Sequence, residues 1–231
     1  MSGKKYWLVF IGACLIPFYS SATLNISSKK DSSKICFEYH FGTVWNAKLP
    51  LTIVQSGYPD IYIKKADFYS EPFVSPHYWD WRFTYWKKKY GFSFEAIHHK
   101  LYLKNKPPEV KRFGISHGYN MLVISVVRRF KYVNIHLGGG SVLLHPESTI
   151  RGKVWPEGPG FDWKGYRLRG GVLNIAASHK FKIWKRFYVN TEGKSTFSRA
   201  ITPVVDGYAI VNNIALQFLF GIGIDFAYNK H

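Results

Sequence analysis

Acidic residues and sulfur are scarce in this chain of 231 residues, which has 14 Asp and Glu, two Cys and two Met. Two cysteines exclude a disulfide scaffold, and because Cys14 falls in a leader-like segment, Cys36 is left alone in the rest of the chain. A lone thiol of this kind reads as a small buried or membrane-facing residue, not a reactive one. Long hydrophobic runs are missing beyond the extreme N-terminus, which excludes a polytopic helical membrane protein. Helical periodicity is nearly absent. Disorder is excluded by an abundance of rings, since 18 Phe, 16 Tyr and 8 Trp make up 18% of the chain. Lys and Arg number 32, for a formal net charge of +18.

The N-terminus carries Lys4 and Lys5, an apolar run from Tyr6 to Phe18, and then Ser20-Ser21-Ala22. That order predicts a secretory signal peptide over residues 1–22, cleaved after Ala22. A lipoprotein reading at Ile11-Gly12-Ala13-Cys14 competes, but the apolar run continues past Cys14. Residues 23–231 are then expected to form one domain.

In that domain the period is two. From Asn213 to Phe226, Ile214, Leu216, Phe218, Phe220, Ile222, Ile224 and Phe226 share one face, while Asn213, Ala215, Gln217, Leu219, Gly221, Gly223 and Asp225 share the other. A soluble sandwich pairs a large apolar core face with a charged outer one. A large apolar face opposite small and polar residues suits a barrel with lipid outside and a polar interior. Alternation predicts strands near 36–46, 78–88, 91–103, 118–130, 131–146, 166–184, 186–199 and 208–227. The connections alternate between short turns and long loops, as in outer-membrane barrels. The fold expected is all-β, an eight-stranded antiparallel transmembrane β-barrel. Its interior is narrow, filled by side chains such as Ser93, Glu95, Asn174, Ser178, Lys180, Asn190, Glu192, Lys194 and Thr196, so no pore is expected.

A basic chain suggests nucleic acid, but a leader and a lipid-facing wall argue against that partner. An anionic lipid headgroup fits better. Lys104, Lys106, Lys111, Arg112, Arg151, Lys153, Lys164, Arg167 and Arg169 cluster in loops and strand ends. Each contributes about 1 kcal/mol of attraction to an anionic leaflet. The outer membrane and a monomeric state are the expected setting.

One polar cluster falls on the outward parity. Phe92, Phe94 and Ala96 lead to His98 and Lys100; Leu122 leads back to Asn120; Ile135, Leu137 and Leu143 lead on to His145 and Glu147. The Gly138-Gly139-Gly140 run is a candidate bulge that would shift this register. The plain reading is an interfacial polar girdle; convergence of two His and a carboxylate points instead to chemistry. Strands two apart lie about 10 Å from each other. His98, His145 and Glu147 can therefore form a two-His, one-carboxylate metal set, the arrangement of non-haem iron. His98, Lys100, Asn120, His145 and Glu147 are the candidate catalytic residues.

Segments W-D-W-R-F-T-Y-W (79–86), G-F-S-F-E-A-I-H-H-K-L-Y (91–102), I-S-H-G-Y-N (115–120), H-P-E-S-T-I-R-G (145–152), T-E-G-K (191–194) and G-I-G-I-D-F (221–226) resemble the outer-membrane lipid A oxidase family over about residues 78–228. The resemblance implies oxidation of the proximal glucosamine of lipid A to 2-aminogluconate by molecular oxygen, with dependence on a divalent metal ion. Gly193 departs from the family's pattern, at a position expected to face lipid. An outer-membrane lipid A deacylase is the competing enzyme class. It needs a Ser nucleophile and a His base, for which Ser116, His117 or His98, and Glu147 are available. A non-catalytic structural barrel is the third reading.

Overall fold

Alternation of side chains makes every regular element a strand among the residues that this computed structural model describes, which are 33–115, 117–156, 158 and 165–227. The expected leader, Cys14 and Ser116 lie outside them. The strands are β1 (Lys34–Asn46), β2 (Leu49–Gln55), β3 (Ile61–Ala66), β4 (Phe68–Tyr69), β5 (Trp79–Lys87), β6 (Tyr90–His98), β7 (Leu101–Leu103), β8 (Val110–Ile115), β9 (Tyr119–Arg129), β10 (Asn134–Leu144), β11 (Glu147–Ile150), β12 (Lys153–Val154), β13 (Arg167–Trp184), β14 (Phe187–Val204) and β15 (Gly207–Ala227).

Eight of them form a closed antiparallel ring, β1-β5-β6-β9-β10-β13-β14-β15. The seam is β1 on β15, in unbroken register from Lys34↔Ala227 to Asn46↔Ala215. The eight correspond to the strands expected from the sequence, except that the third, expected to run to residue 103, ends at His98, and Leu101–Leu103 leaves the ring as β7. The register of β10 against β9 runs without a break from Asn134↔Arg129 to Leu144↔Tyr119. The irregularity expected at Gly138–Gly140 falls instead between Ser141 and Leu143, on the β13 side. Glycine at 140 has another cause: an added Cβ would collide with the Leu122 carbonyl, because β9 and β10 approach too closely there for a side chain.

The outside of the ring is apolar. Tyr39, Phe41, Phe83, Phe92, Phe94, Val126, Leu173, Phe218, Phe220 and Ile222 are each at least two-fifths exposed. So much exposed apolar surface on a closed wall faces lipid, not water. Gly193 lies on this outward side, with open space where a Cβ would stand. The chain is an outer-membrane barrel, its tight turns at Lys88–Lys89 and Lys185–Arg186 on the periplasmic side.

Inside, the wall divides into two zones. Toward the periplasm lies a charged network. Arg82 donates to Glu38 at 3.3 Å, Glu95 at 2.9 Å and Glu192 at 2.7 Å. Lys194 pairs with Asp80 and Glu95 and approaches Glu192 at 3.2 Å. Lys180, Tyr188 and Asn190 complete the shell of Glu38 at 2.9–3.0 Å. The expected lumenal residues Ser93, Glu95, Asn174, Ser178, Asn190, Glu192, Lys194 and Thr196 all point inward and are buried. Cys36 is inward too, its thiol 2.9 Å from Asp225.

Toward the outside, the interior is aliphatic. Ile97, Met121, Val123, Val142, Leu144, Val172, Ala200 and Val211 join one cluster with Phe68, Leu101, Leu103, Phe113, Ile115 and Ile150 from the long loops. Those loops are not irregular. They build a second sheet, β12-β11-β8-β7-β4, which buries one face on the mouth of the barrel, while the β2–β3 hairpin extends β15. The second sheet was not expected from the sequence. The short strands carry too few alternating positions to stand out.

The charged network sets the first prediction. Replacing Arg82 with Leu leaves three buried carboxylates short of a counter-charge, a loss of about 3–5 kcal/mol. Gly193→Leu adds an apolar side chain to open, lipid-facing space and should leave stability unchanged. Unfolding in detergent, followed by tryptophan fluorescence, compares the two.

Candidate functional site

Three strands meet where the apolar wall ends. Trp79 and His98 form the last cross-strand pair of β5 and β6, and Asn120 is paired with Leu143 of β10. All carry the outward parity of their strands, as the sequence pattern requires. The His98 ring stacks on Trp79 (centroids 5.3 Å apart, planes at 14°), and its Nδ1 lies 2.7 Å from Asn120 Oδ1. A carbonyl oxygen can only accept, so Nδ1 carries the proton and Nε2 keeps its lone pair. Nε2 is buried and has no hydrogen-bond partner.

A second histidine group lies next in the chain. The rings of His117 and Tyr166 each meet His145 edge-on at 5.0 Å. Its Nε2 is 3.1 Å from the carbonyl of Gly158, and its backbone N–H donates to Gly118 at 3.1 Å. Its Nδ1 is buried and uncommitted.

The structure brings His98 and Asn120 together and separates the other expected residues. Lys100 does not face the headgroups. It leaves the wall between β6 and β7, is buried, and donates to the Val74 carbonyl at 3.0 Å with Glu71 at 3.9 Å. Burial lowers its pKa, and Glu71 opposes that. Glu147 belongs to β11 in the second sheet, where it is paired with Gly114 of β8 and held by an ion pair to Arg112. The two residues left the expected row because the chain bends out of the barrel wall after His98 and after Leu144.

The metal set can be tested against the donors. His98 Nε2, His145 Nδ1 and Glu147 Oε2 are each buried and unengaged, which is the right chemistry for ligands. They do not converge. Among the described residues the one group of three candidate ligands within 4.8 Å of one another is Asp80, Glu95 and Glu192 in the lumen. Arg82 and Lys194 already neutralise that group. The expected cage is therefore not assembled by these side chains.

Sequence reasoning passed over several members of this neighbourhood. Trp79 was legible, since alternation through W-D-W-R puts it on the same side as Trp81 and Phe83. The sequence offered His117 only as a possible hydrolase base, and Tyr166 borders a loop segment without a period, so nothing marked it. His99 was also unmarked. It is fully buried, with Nε2 2.8 Å from Ser70 Oγ and the ring edge-on to Tyr119. A second Ser–His contact, His136 Nε2 with Ser178 Oγ at 3.1 Å, lies in the lumen; at Ser70, Asn46 and the Lys100 carbonyl occupy the same hydroxyl.

No protein-family model and no curated protein matches the chain. Among solved structures it is similar to Ail, the attachment invasion locus protein of Yersinia pestis, at 12% identity over 86% of this chain and 100% of that one, with a TM-score of 0.37. It is similar to Neisserial surface protein A at 10% identity, over 84% and 97% of the two chains, with a TM-score of 0.38. The outer membrane protease OmpT from Escherichia coli gives 9% identity over 87% and 100%, with a TM-score of 0.42.

His99, in the external turn, yields a pH prediction. Burial, aided by His98, lowers its pKa from the usual 6.5 to about 3. The unfolded chain takes up a proton below about pH 6.5 and the folded one does not. Stability is thus complete above pH 6.5 and falls as the pH drops toward 3, by up to about 1.4 kcal/mol per unit. Proteolysis of the external sheet should accelerate between pH 7 and 5, and His99→Gln should flatten that dependence.

Proposed function

We propose that this barrel is an enzyme acting on lipid A in the outer leaflet, oxidising the proximal glucosamine to 2-aminogluconate with molecular oxygen. The reading is carried by His98, whose outward-facing imidazole has one nitrogen fixed by Asn120 and the other bare. That is the arrangement of a general base whose tautomer is set by a neighbour. A lipid diffusing along the wall meets this end of the apolar belt with its sugar, not its acyl chains. The resemblance of residues 78–228 to lipid A oxidases names the reaction.

In that reaction the anomeric carbon gives up two electrons. Oxygen accepts them and is reduced to hydrogen peroxide, while water supplies the oxygen atom gained by the sugar. His98 Nε2 would receive the anomeric hydroxyl proton. Asn120 holds the ring through Nδ1, and Trp79 covers its face. The nitrogen is shielded, so the sugar has to displace the cover around it, and the same shielding strengthens any hydrogen bond formed there. A divalent ion would supply oxygen activation; no step is assigned to one, because the expected ligands lie apart.

Lipid A from cells expressing the protein should gain the mass of one oxygen atom, and growth without oxygen should abolish the gain. His98→Ala should cut conversion at least 100-fold, the usual worth of a general base. Asn120→Asp should keep activity but move the pH profile upward, because a carboxylate favours the charged imidazole. Loss of an acyl chain would instead establish a deacylase. Unchanged lipid A would leave a structural barrel.

A further inference from the structure

The outer face of the second sheet carries a concavity that the catalytic reading does not use. It has a volume of about 580 Å3 and is bordered by Tyr69, Glu71, Tyr102, Lys106, Lys111 and Arg112. Its position follows from strand pairing. Tyr69 of β4 stands opposite Tyr102 of β7, which stands opposite Gly114 of β8. With no side chain at Gly114, the Tyr102 ring lies down over that backbone; a Cβ there would be 3.0 Å from Tyr102 Cδ1. The two tyrosine rings are 5.3 Å apart with planes at 31°, and together make a shallow aromatic floor. Tyr69 remains 44% exposed, so the floor is open to a ligand.

Cations border this floor. Arg112 is anchored by Glu147, and Lys106 crosses the rim to donate to the Lys111 carbonyl at 3.2 Å. Neither Lys106 nor Lys111 has a carboxylate partner among the described residues. Glu71 is the one acidic residue of the lining, 3.9 Å from the Lys100 ammonium. The border is thus a net anion acceptor with one carboxylate able to take hydroxyl protons. An aromatic face attracts the weakly positive C–H hydrogens of a sugar ring, because its own quadrupole is negative there. Lysines serve a phosphate as point charges.

We propose that this concavity is a binding site for a phosphorylated hexose unit of a surface glycolipid. The sugar ring lies on Tyr69 and Tyr102, and its phosphate sits between Lys106, Lys111 and Arg112. The site is separate from His98 and does not depend on the oxidase reading. Charge alone would describe a patch; the tyrosine floor adds the requirement for a ring.

Binding to the purified barrel in detergent, measured by calorimetry with glucose 6-phosphate, glucose and inorganic phosphate, tests the assignment. Glucose 6-phosphate should bind saturably, at least tenfold more tightly than either component. Tyr102→Ala should remove that advantage while leaving phosphate binding unchanged. Tyr69→Ala, a change on an exposed edge strand, should weaken binding in the same sense with the fold intact by circular dichroism. The double variant Lys106→Gln, Lys111→Gln should weaken both phosphorylated ligands at least tenfold. Micelles of a phosphorylated glycolipid should bind and be displaced by glucose 6-phosphate. Equal affinity for inorganic phosphate, with no effect of the tyrosine variants, reduces the site to a charge patch and overturns the proposal. Failure of glucose 6-phosphate to bind overturns it as well, as does micelle binding that Tyr102→Ala leaves unchanged. Because no turnover is measured, none of these results depends on whether lipid A is oxidised.

Discussion

In hydrocarbon there is no water to satisfy a backbone N–H or carbonyl, so a strand can cross only if both of its edges are paired. The seam between β1 and β15 meets that constraint for the whole ring, thirteen residues deep from Lys34 to Asn46. Closure then dictates where side chains go. Every strand has one face on lipid and one in the lumen, and an ordinary soluble pattern is turned inside out. Aromatic and aliphatic side chains cover the wall, and the polar residues converge on an axis too narrow for water to serve them all.

That convergence explains the interior. Glu38, Asp80, Glu95 and Glu192 come from four different strands, and Arg82, Lys194 and Lys180 lie among them. Desolvating such groups is expensive unless each finds a partner. The network therefore ties β1, β5, β6, β13 and β14 together through the middle of the barrel. Above it the lumen turns dry, and the second sheet seals it with Phe68, Phe113 and Ile115. The external end is a packed core continuous with the barrel, which leaves any chemistry to the outside of the wall or the outer face of the sheet. His98 with Asn120 occupies the first location, and the tyrosine floor with its basic border the second.

The transition from wall to sheet also decides which polar residues stay together. His98 is the last residue of β6, and Asn120 lies one strand away near the start of β9, so the ladder itself holds them in contact. Lys100 and Glu147 lie just past the ends of their barrel strands. Once the chain leaves the ladder, their positions follow local partners: Val74 and Glu71 for one, Arg112 for the other. A row that continues in sequence parity need not continue in space beyond the last hydrogen-bonded pair.

The sequence alone determined the eight barrel strands, which side of each meets lipid, the lumenal residues and the outward direction of His98 and Asn120. All of these follow from a period of two maintained over nine or more residues, and that period is a local property. Tertiary structure decided the second sheet, the cover over His98, the partner of Glu147 and the tyrosine floor. Strands of two to six residues, such as β4, β7, β8 and β11, have too short a pattern to announce themselves. Their pairings join residues such as Tyr69 and Tyr102, brought opposite each other by burial of their neighbours Phe68 and Leu103 in the mouth of the barrel. Which face of such a strand is buried is set by the surface it lands on, and that surface exists only once the ring has closed.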